Sequence, residues 1–287
     1  MSNIKVGIIG GSGLYSIKEI TDIEEVKIET PFGETSDNYI IGTLGGKRVA
    51  FLPRHGRGHR FLPHEINYRA NIYGFKKLGV REIISVSSVG SLKEEHAPLD
   101  IILPDQFVDI TKMRKSTFFG NGISAHVQFS HPTCPQLTSY VKKAADSLEI
   151  PVKVGGTYIC MEGPQFSTKA ESNMYRTFNF DVIGMSNATE AKLAREAEIC
   201  YVTIAFVTDY DCWFESEEEV SVDLVIRNLQ KNIENAKKII KEVVNLLPEE
   251  RDCKCHHALE NAIMTDKSLI PPKIKKDLDV IIGKYIE

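Results

Sequence analysis

The chain has 287 residues, of which 26% are charged and 42% hydrophobic, and its formal net charge at pH 7 is −4. This composition is typical of a globular protein, and the acidic balance argues against a nucleic-acid partner. No apolar stretch reaches the roughly 20 residues that span a bilayer, and the N-terminus lacks the layout of a signal peptide. We therefore expect a cytoplasmic protein without a membrane partner.

Strand-like and helix-like segments alternate along the chain. Short apolar runs predict strands at 5–9, 48–52, 82–88, 155–161 and 201–207. Apolar residues at helical spacing predict helices at 64–78, 136–148, 188–197 and 222–246. Alternation of this kind indicates helices packed on both faces of a largely parallel sheet. We expect one α/β domain over residues 1–250, followed by a short tail, 251–287, with two weaker helical segments.

An acidic pair follows the apolar run at 201–207. Asp209 and Asp211 are two residues apart, so both carboxyl groups can face the same way at the end of a buried strand. Buried carboxylates are costly unless something pairs with them, and ligands of open α/β sheets bind at such strand ends. The pair can grip a planar base, one carboxyl donating to a ring nitrogen and the other accepting from an amine. A solvated turn or a metal-binding loop explains the same residues equally well at this point.

Three other strand ends carry groups suited to an anion. The glycine-rich turn at 10–13 offers backbone N–H groups, although by itself it is more typical of a tight turn. The loop at 53–60 contains three Arg and two His, which can hydrogen-bond phosphate or simply form a basic surface. Ser87 and Ser88 add hydroxyl groups at the next strand end. Because these motifs converge on strand ends, we predict a single site that binds inorganic phosphate.

Two apolar residues adjoin polar turns near this predicted site. Met185 precedes Ser186 and a predicted helix, and Phe166 follows the turn at 162–164. A methionine is more often a core residue, but a hydroxyl at a helix N-terminus suits an anion, and Met185 can then lie under a sugar.

Six cysteines are spread over the chain, and four of them lie in or beside apolar segments. The tail segment 253–257 (Cys-Lys-Cys-His-His) combines residues that can bind metals, but no second ligand pair with the usual spacing is present. Metal binding, a local or intersubunit disulfide and free thiols all remain open, with free thiols as the default.

Four motifs together resemble a known family over about residues 4 to 250. They are Gly10-Gly11-Ser12-Gly13-Leu14, Pro53-Arg54-His55-Gly56, Glu162-Gly163-Pro164-Gln165-Phe166-Ser167 and Thr208-Asp209-Tyr210-Asp211-Cys212-Trp213. The combination is similar to S-methyl-5′-thioadenosine phosphorylases, within the trimeric purine nucleoside phosphorylase family. The resemblance implies a single α/β domain on a mixed, partly closed β-sheet flanked by helices. It also implies a homotrimer or a dimer of trimers, and phosphorolysis of methylthioadenosine without a metal or an organic cofactor, phosphate being a co-substrate.

The resemblance further implies a role for each matching position. The phosphate ligands would be Ser12, Arg54, His55, Ser87 and Ser186, with Ser88 beside them. The ribose and base would pack on Met185 and Phe166, with His59 near the sugar. Asp209, as the catalytic acid, and Asp211 would read adenine through N7 and the 6-amino group. Preference for the purine and the 5′-substituent would depend on Ser167, Val222 and Val225, and His126 would reach a neighbouring subunit's site.

Two positions depart from the family's pattern. Many relatives have Thr in place of Ser186 and Pro in place of Thr189, so the path of this loop can differ. The tail pair Cys253 and Cys255 is similar to that of heat-adapted relatives in which such pairs form disulfides.

Two other functions stay open. A 6-oxopurine nucleoside phosphorylase is one alternative, although such relatives tend to have Asn in place of Asp209. A nucleoside-binding protein without turnover is the other.

Overall fold

The computed structural model describes residues 4–11, 14, 19–215 and 222–286. The strands are β1 (Val6–Gly10), β2 (Thr21–Val26), β3 (Tyr39–Leu44), β4 (Lys47–Pro53), β5 (Glu82–Ser91), β6 (Ile101–Leu103), β7 (Gln106–Asp109), β8 (Lys153–Val154), β9 (Thr157–Cys160), β10 (Val182–Gly184) and β11 (Cys200–Asp209). The helices are α1 (Tyr68–Lys77), α2 (Pro135–Ser147), α3 (Lys169–Thr177), α4 (Asn187–Glu196), α5 (Val222–Leu246), α6 (Pro272–Asp277) and α7 (Asp279–Ile286).

One mixed sheet contains all of these strands. Its main path runs β2-β3-β4-β1-β5-β10-β9-β7, and β11 pairs with β5 and β6. Strand β5 is the branch point, because it pairs in parallel with β1 and β11 and antiparallel with β10. The expected mixed sheet flanked by helices is therefore confirmed. The parallel strands β4, β1, β5 and β11 bring their carboxyl ends to one edge, which is where the polar motifs lie.

The predicted elements are present, and the structure adds several short ones. Helix α1 begins later than predicted because the Asn67 side chain accepts a hydrogen bond from the Ala70 N–H and caps it there. The sequence does not predict strand β2, because the segment is mostly exposed and its apolar and polar residues do not alternate. Helix α3 buries only Ser172 and Tyr175, so its sequence carries a weak apolar pattern.

The hydrophobic core lies on both faces of the sheet. On one face, apolar residues of the sheet pack with helices α2 and α5. On the other face they pack with α1, α4 and the tail, which contributes Leu259, Ile270, Leu278 and Ile282 as buried side chains. The tail is thus part of the core packing. No disulfide joins any of the six cysteines, all of which the structure describes. Within the described part of the chain, no helix is both long and apolar enough to cross a membrane.

Candidate active site

The acidic pair lies at the carboxyl end of β11, beside β5. A register shift between Val207 and Asp209 places Asp209 opposite Gly90. A Cβ atom on Gly90 would lie 3.0 Å from Asp209 Oδ1 and 3.4 Å from Asp211 Cβ, so glycine permits this close approach. On the other side, the Asn228 side chain of α5 donates to the Thr208 carbonyl at 2.7 Å and fixes the strand end.

Both carboxyl groups are buried, and their hydrogen bonds differ. Asp209 accepts from the Thr208 hydroxyl and from the Asp211 N–H, each at 2.8 Å. Asp211 Oδ2 is buried and has no hydrogen-bond partner among the described residues. Burial raises the pKa of Asp209, and the neighbouring Asp211 raises it further. Burial likewise raises the pKa of Asp211. An orphaned acceptor beside an easily protonated carboxyl group matches the donor and acceptor pair that one edge of a base requires.

Arg54 begins the basic loop after β4, but it is buried rather than exposed. Its Nε donates to Glu190 Oε1 at 2.5 Å, and Nη2 donates to Glu190 Oε2 at 3.2 Å. Nη2 also donates to Ser85 Oγ, and Nη1 donates to the Val86 carbonyl on β5 at 3.0 Å. Burial alone would lower the Arg54 pKa, but the Glu190 carboxylate raises it above its ordinary value, so Arg54 stays protonated. Arg54 therefore joins β4, β5 and α4 beneath the strand ends.

His55 and His59 form a stacked pair in the same loop, with ring centroids 4.1 Å apart. His55 Nδ1 lies 2.8 Å from the Phe61 carbonyl, so Nδ1 carries the proton and Nε2 is an acceptor while the ring is neutral. Burial lowers the pKa of His55 to about 4, and Arg54 and His59 add to the effect. Donation from Nε2 to phosphate therefore requires a protonated ring, which a bound anion would favour.

Ser186 occupies the N-cap position of α4 without capping it, because its side chain accepts no backbone N–H of the helix. It is buried, and its hydroxyl donates a long hydrogen bond to Asn187 Oδ1 at 3.5 Å. Ser87 is also buried, and its hydroxyl donates weakly to the Ser88 carbonyl at 3.3 Å. A helix N-terminus with two weakly engaged hydroxyl groups is suited to an anion.

Met185 lies just before this helix and against the 162–164 turn. A Cβ atom on Gly163 would lie 2.5 Å from Met185 Sδ, so glycine lets the turn and the thioether meet. Ser167 accepts through its carbonyl from the Cys212 thiol at 3.2 Å, which links this loop to the segment of the acidic pair. Phe166 is 42% exposed and can change its contacts when a ligand binds.

Of the other four predicted positions, three have side chains outside the described part of the chain and one lies beside the tail. Ser12 lies outside the described residues, as do the side chains of Val222 and Val225, although α5 begins at Val222. His126 is exposed beside the tail, and its N–H donates to the Ala262 carbonyl at 2.8 Å.

The structure adds three polar residues with buried side chains that the sequence interpretation missed. Glu190 pairs with Arg54, and Asn187 donates to Ser85, Tyr201 and Thr203 beneath the helix N-terminus. Arg114 ties the 161–167 loop to Met185: it donates to Glu162 at 3.0 Å and to the Met185 carbonyl. No sequence pattern marks these residues, because the groups they bond to are distant in the chain or lie on segments without regular secondary structure.

Residues 5–245 match the family model described as "Phosphorylase superfamily". An S-methyl-5′-thioadenosine phosphorylase of Koribacter versatilis is 60% identical over 98% of this chain and 96% of its own length. One from Geobacter sulfurreducens is 56% identical over 98% of this chain and 99% of its own length. Among solved structures, a methylthioadenosine phosphorylase from an antarctic soil metagenomic library has a TM-score of 0.94 at 49% identity, covering 98% of this chain and 99% of its own. A Schistosoma mansoni methylthioadenosine phosphorylase in complex with adenine has a TM-score of 0.83 at 32% identity, covering 98% of both chains.

The fold and the full-length similarity to phosphorylases define an α/β enzyme. The chain belongs to the phosphorylase superfamily. Its similarity to the methylthioadenosine phosphorylases extends over nearly the full length of both partners, so the site described above lies within the matched region.

Proposed function

We propose that the chain catalyses the phosphorolysis of S-methyl-5′-thioadenosine to adenine and 5-methylthio-α-D-ribose 1-phosphate, a pentosyl transfer that serves purine and methionine salvage. The observation that carries the proposal is the buried Asp209–Asp211 pair with its orphaned Asp211 Oδ2. An exocyclic amine donates to that oxygen, and a protonated Asp209 donates to N7. The relatives named above support the same substrate.

In the reaction, a phosphate oxygen forms a bond to C1′ while the C1′–N9 bond breaks. The bonding pair leaves with the base, and C1′ passes through an oxocarbenium-like state. Asp209 donates a proton toward N7 as negative charge builds on the adenine ring. Burial supports this role, because a raised pKa keeps an acid form available at a higher pH than a solvated Asp allows.

Phosphate would bind between the strand ends and the N-terminus of α4. Ser186, Ser87, Ser88, Ser12 and His55 would bind its oxygens. Arg54 uses four of its five N–H groups on described protein atoms, and this leaves one N–H of Nη1 for phosphate. We propose that Arg54 mainly positions β4, β5 and α4, because Glu190 offsets its charge.

The sugar and the base would lie on Met185 and Phe166. Ser167 would tune the purine preference, His59 would lie near the ribose, and Val222 and Val225 would form the wall of the methylthio pocket. Inorganic phosphate is the co-substrate in this scheme, and no metal or organic cofactor takes part in the chemistry. A homotrimer or dimer of trimers, with His126 reaching a neighbouring site, and a cytoplasmic location remain predictions.

Phosphate-dependent release of adenine, followed by absorbance, tests the proposal against both alternatives. We expect adenine from methylthioadenosine only when phosphate is present. Faster release of hypoxanthine from inosine would favour a 6-oxopurine enzyme. Tight binding of methylthioadenosine with no release of base would indicate a binding protein.

A further inference from the structure

Four of the six cysteines meet at the end of β11 opposite to Asp209. Cys200 begins that strand, Cys134 is the N-cap residue of α2, and Cys253 and Cys255 belong to the tail. All four are buried, and their Sγ atoms lie within 4.8 Å of one another. The length of β11 separates this four-cysteine cluster from Asp209 by about 30 Å, so it is distinct from the candidate active site.

The spacing of the four sulfur atoms suits one central ion. Zn²⁺ bound by four thiolates at about 2.3 Å holds each pair of sulfurs roughly 3.8 Å apart in a tetrahedron. Cys134 Sγ and Cys253 Sγ are 3.5 Å apart, and the other pairs lie within the same 4.8 Å limit. Every sulfur is therefore near all three others, whereas two separate disulfides need only two close pairs.

The surroundings of the cluster favour thiolates. The Leu137 N–H at the start of α2 donates to Cys134 Sγ at 3.4 Å, and Arg251 Nη1 lies 3.9 Å from the same sulfur. His256 Nε2 lies 3.4 Å from Cys200 Sγ. Backbone and cationic donors of this kind stabilise metal-bound thiolates from outside the coordination sphere. Glu82 and His256 also form a smaller set with Cys200, but four thiolates are the better match for Zn²⁺.

The two tail cysteines of the cluster border an open cleft. A cleft of about 810 Å³ is lined by Cys253, Cys255, His131 and His257, among others. A metal site needs such an entry path as well as suitable ligands.

We propose that Cys134, Cys200, Cys253 and Cys255 bind one Zn²⁺ ion, which fastens the tail to the sheet and to α2. The site is structural, because four protein ligands leave no open position for a substrate. The C-x-C pair in the tail shows no metal-type spacing by itself, since its two partners are far away in sequence and are brought to it by the fold.

The direct test uses the wild-type chain. After dialysis of the zinc-supplemented protein, elemental analysis should find one zinc per chain. In denaturant with a chelator and no reductant, six thiols should titrate. Two titratable thiols would indicate two disulfides, and six thiols without zinc would indicate a cluster of free thiols, so either result overturns the proposal. Cobalt in place of zinc should give the charge-transfer and visible bands of a tetrahedral four-thiolate site.

Cysteine-to-serine variants test whether the four-cysteine cluster holds the zinc. Cys253→Ser and Cys200→Ser should each lose most of the bound zinc, while the matched control Cys160→Ser, a buried cysteine outside the cluster, should keep one zinc per chain. Chelation of the wild type should lower the Tm and leave the turnover at moderate temperature near its original value. Zinc that persists at one per chain in both cluster variants would contradict the assignment. Neither result depends on the proposed reaction, because zinc content is measured independently of adenine release.

Discussion

The two ends of strand β11 are built for different purposes. At the Asp209 end, two buried carboxyl groups lie close together and one oxygen has no partner among the described residues. At the Cys200 end, the buried groups face one another and hold the tail against the sheet. A buried polar group without a hydrogen-bond partner reduces stability, and proteins retain such a group where a ligand supplies the partner. Buried side chains that contact one another stabilise the fold directly. The comparison predicts that substitutions at the first end change activity and that those at the second change stability.

The Arg54–Glu190 pair is an exception to this comparison. It lies near the Asp209 end of β11, but it holds β4, β5 and α4 together. Arg54→Ala leaves the Glu190 carboxylate buried without a counter-ion, so we expect the free energy of unfolding to fall by about 3–5 kcal/mol. Arg57→Ala is the matched control: Arg57 lies in the same loop, pairs with Glu25 at 2.8 Å and is 43% exposed. That control should cost at most about 1 kcal/mol.

Denaturant unfolding of both variants measures this difference. Replacing both partners, with Arg54→Met and Glu190→Leu, should recover much of the stability but not the use of phosphate. Equal, small losses for Arg54→Ala and Arg57→Ala would mean that the buried pair does not hold the strand ends together.

Ser186→Ala tests whether the N-terminus of α4 binds phosphate. The hydroxyl caps nothing in the described structure, so its loss should leave the Tm nearly unchanged. A hydrogen bond to a charged group contributes about 1.5–3 kcal/mol, so kcat/KM for phosphate should fall roughly 10- to 150-fold. Ser139→Ala, at an exposed hydroxyl on α2, is the control and should change neither quantity. A kcat/KM for phosphate that is unaltered in the Ser186 variant would remove this residue from the site.

Asp211→Asn should stabilise the free protein at neutral pH while it damages turnover. Burial raises the folded-state pKa of Asp211, so its ionised form opposes folding once the pH rises above the unfolded pKa. The gain in Tm should therefore be present at pH 7 and shrink as the pH is lowered toward the range where the unfolded carboxyl is protonated. Thermal melts of both proteins across this pH range provide the measurement. A variant that is less stable than the wild type at pH 7 would show that the carboxylate has stabilising partners.

The sequence predicted what depends on local pattern. Helix α5 follows from helical spacing alone, and the ends of β4 and β11 beside Arg54 and Asp209 follow from apolar runs that stop at polar residues. The strand end predicted at Ser87 and Ser88 is wrong, because β5 continues through both residues to Ser91. The sequence did not predict Glu190 under Arg54, Arg114 behind Met185, or Cys134 and Cys200 beside the tail pair. Each of those contacts joins segments that are distant in the chain, and their meeting depends on how the sheet branches at β5.

The most direct test of the candidate site compares two substrates on one variant. The ratio of kcat/KM for methylthioadenosine to that for methylthioinosine should be measured with saturating phosphate in the wild type and in Asp209→Asn. We expect the wild type to favour the adenine substrate and the variant to lose about 2–4 kcal/mol of transition-state stabilisation on it, so the ratio should move toward the 6-oxopurine. An unchanged ratio with full turnover of methylthioadenosine would contradict the assignment of Asp209 as the acid that reads N7.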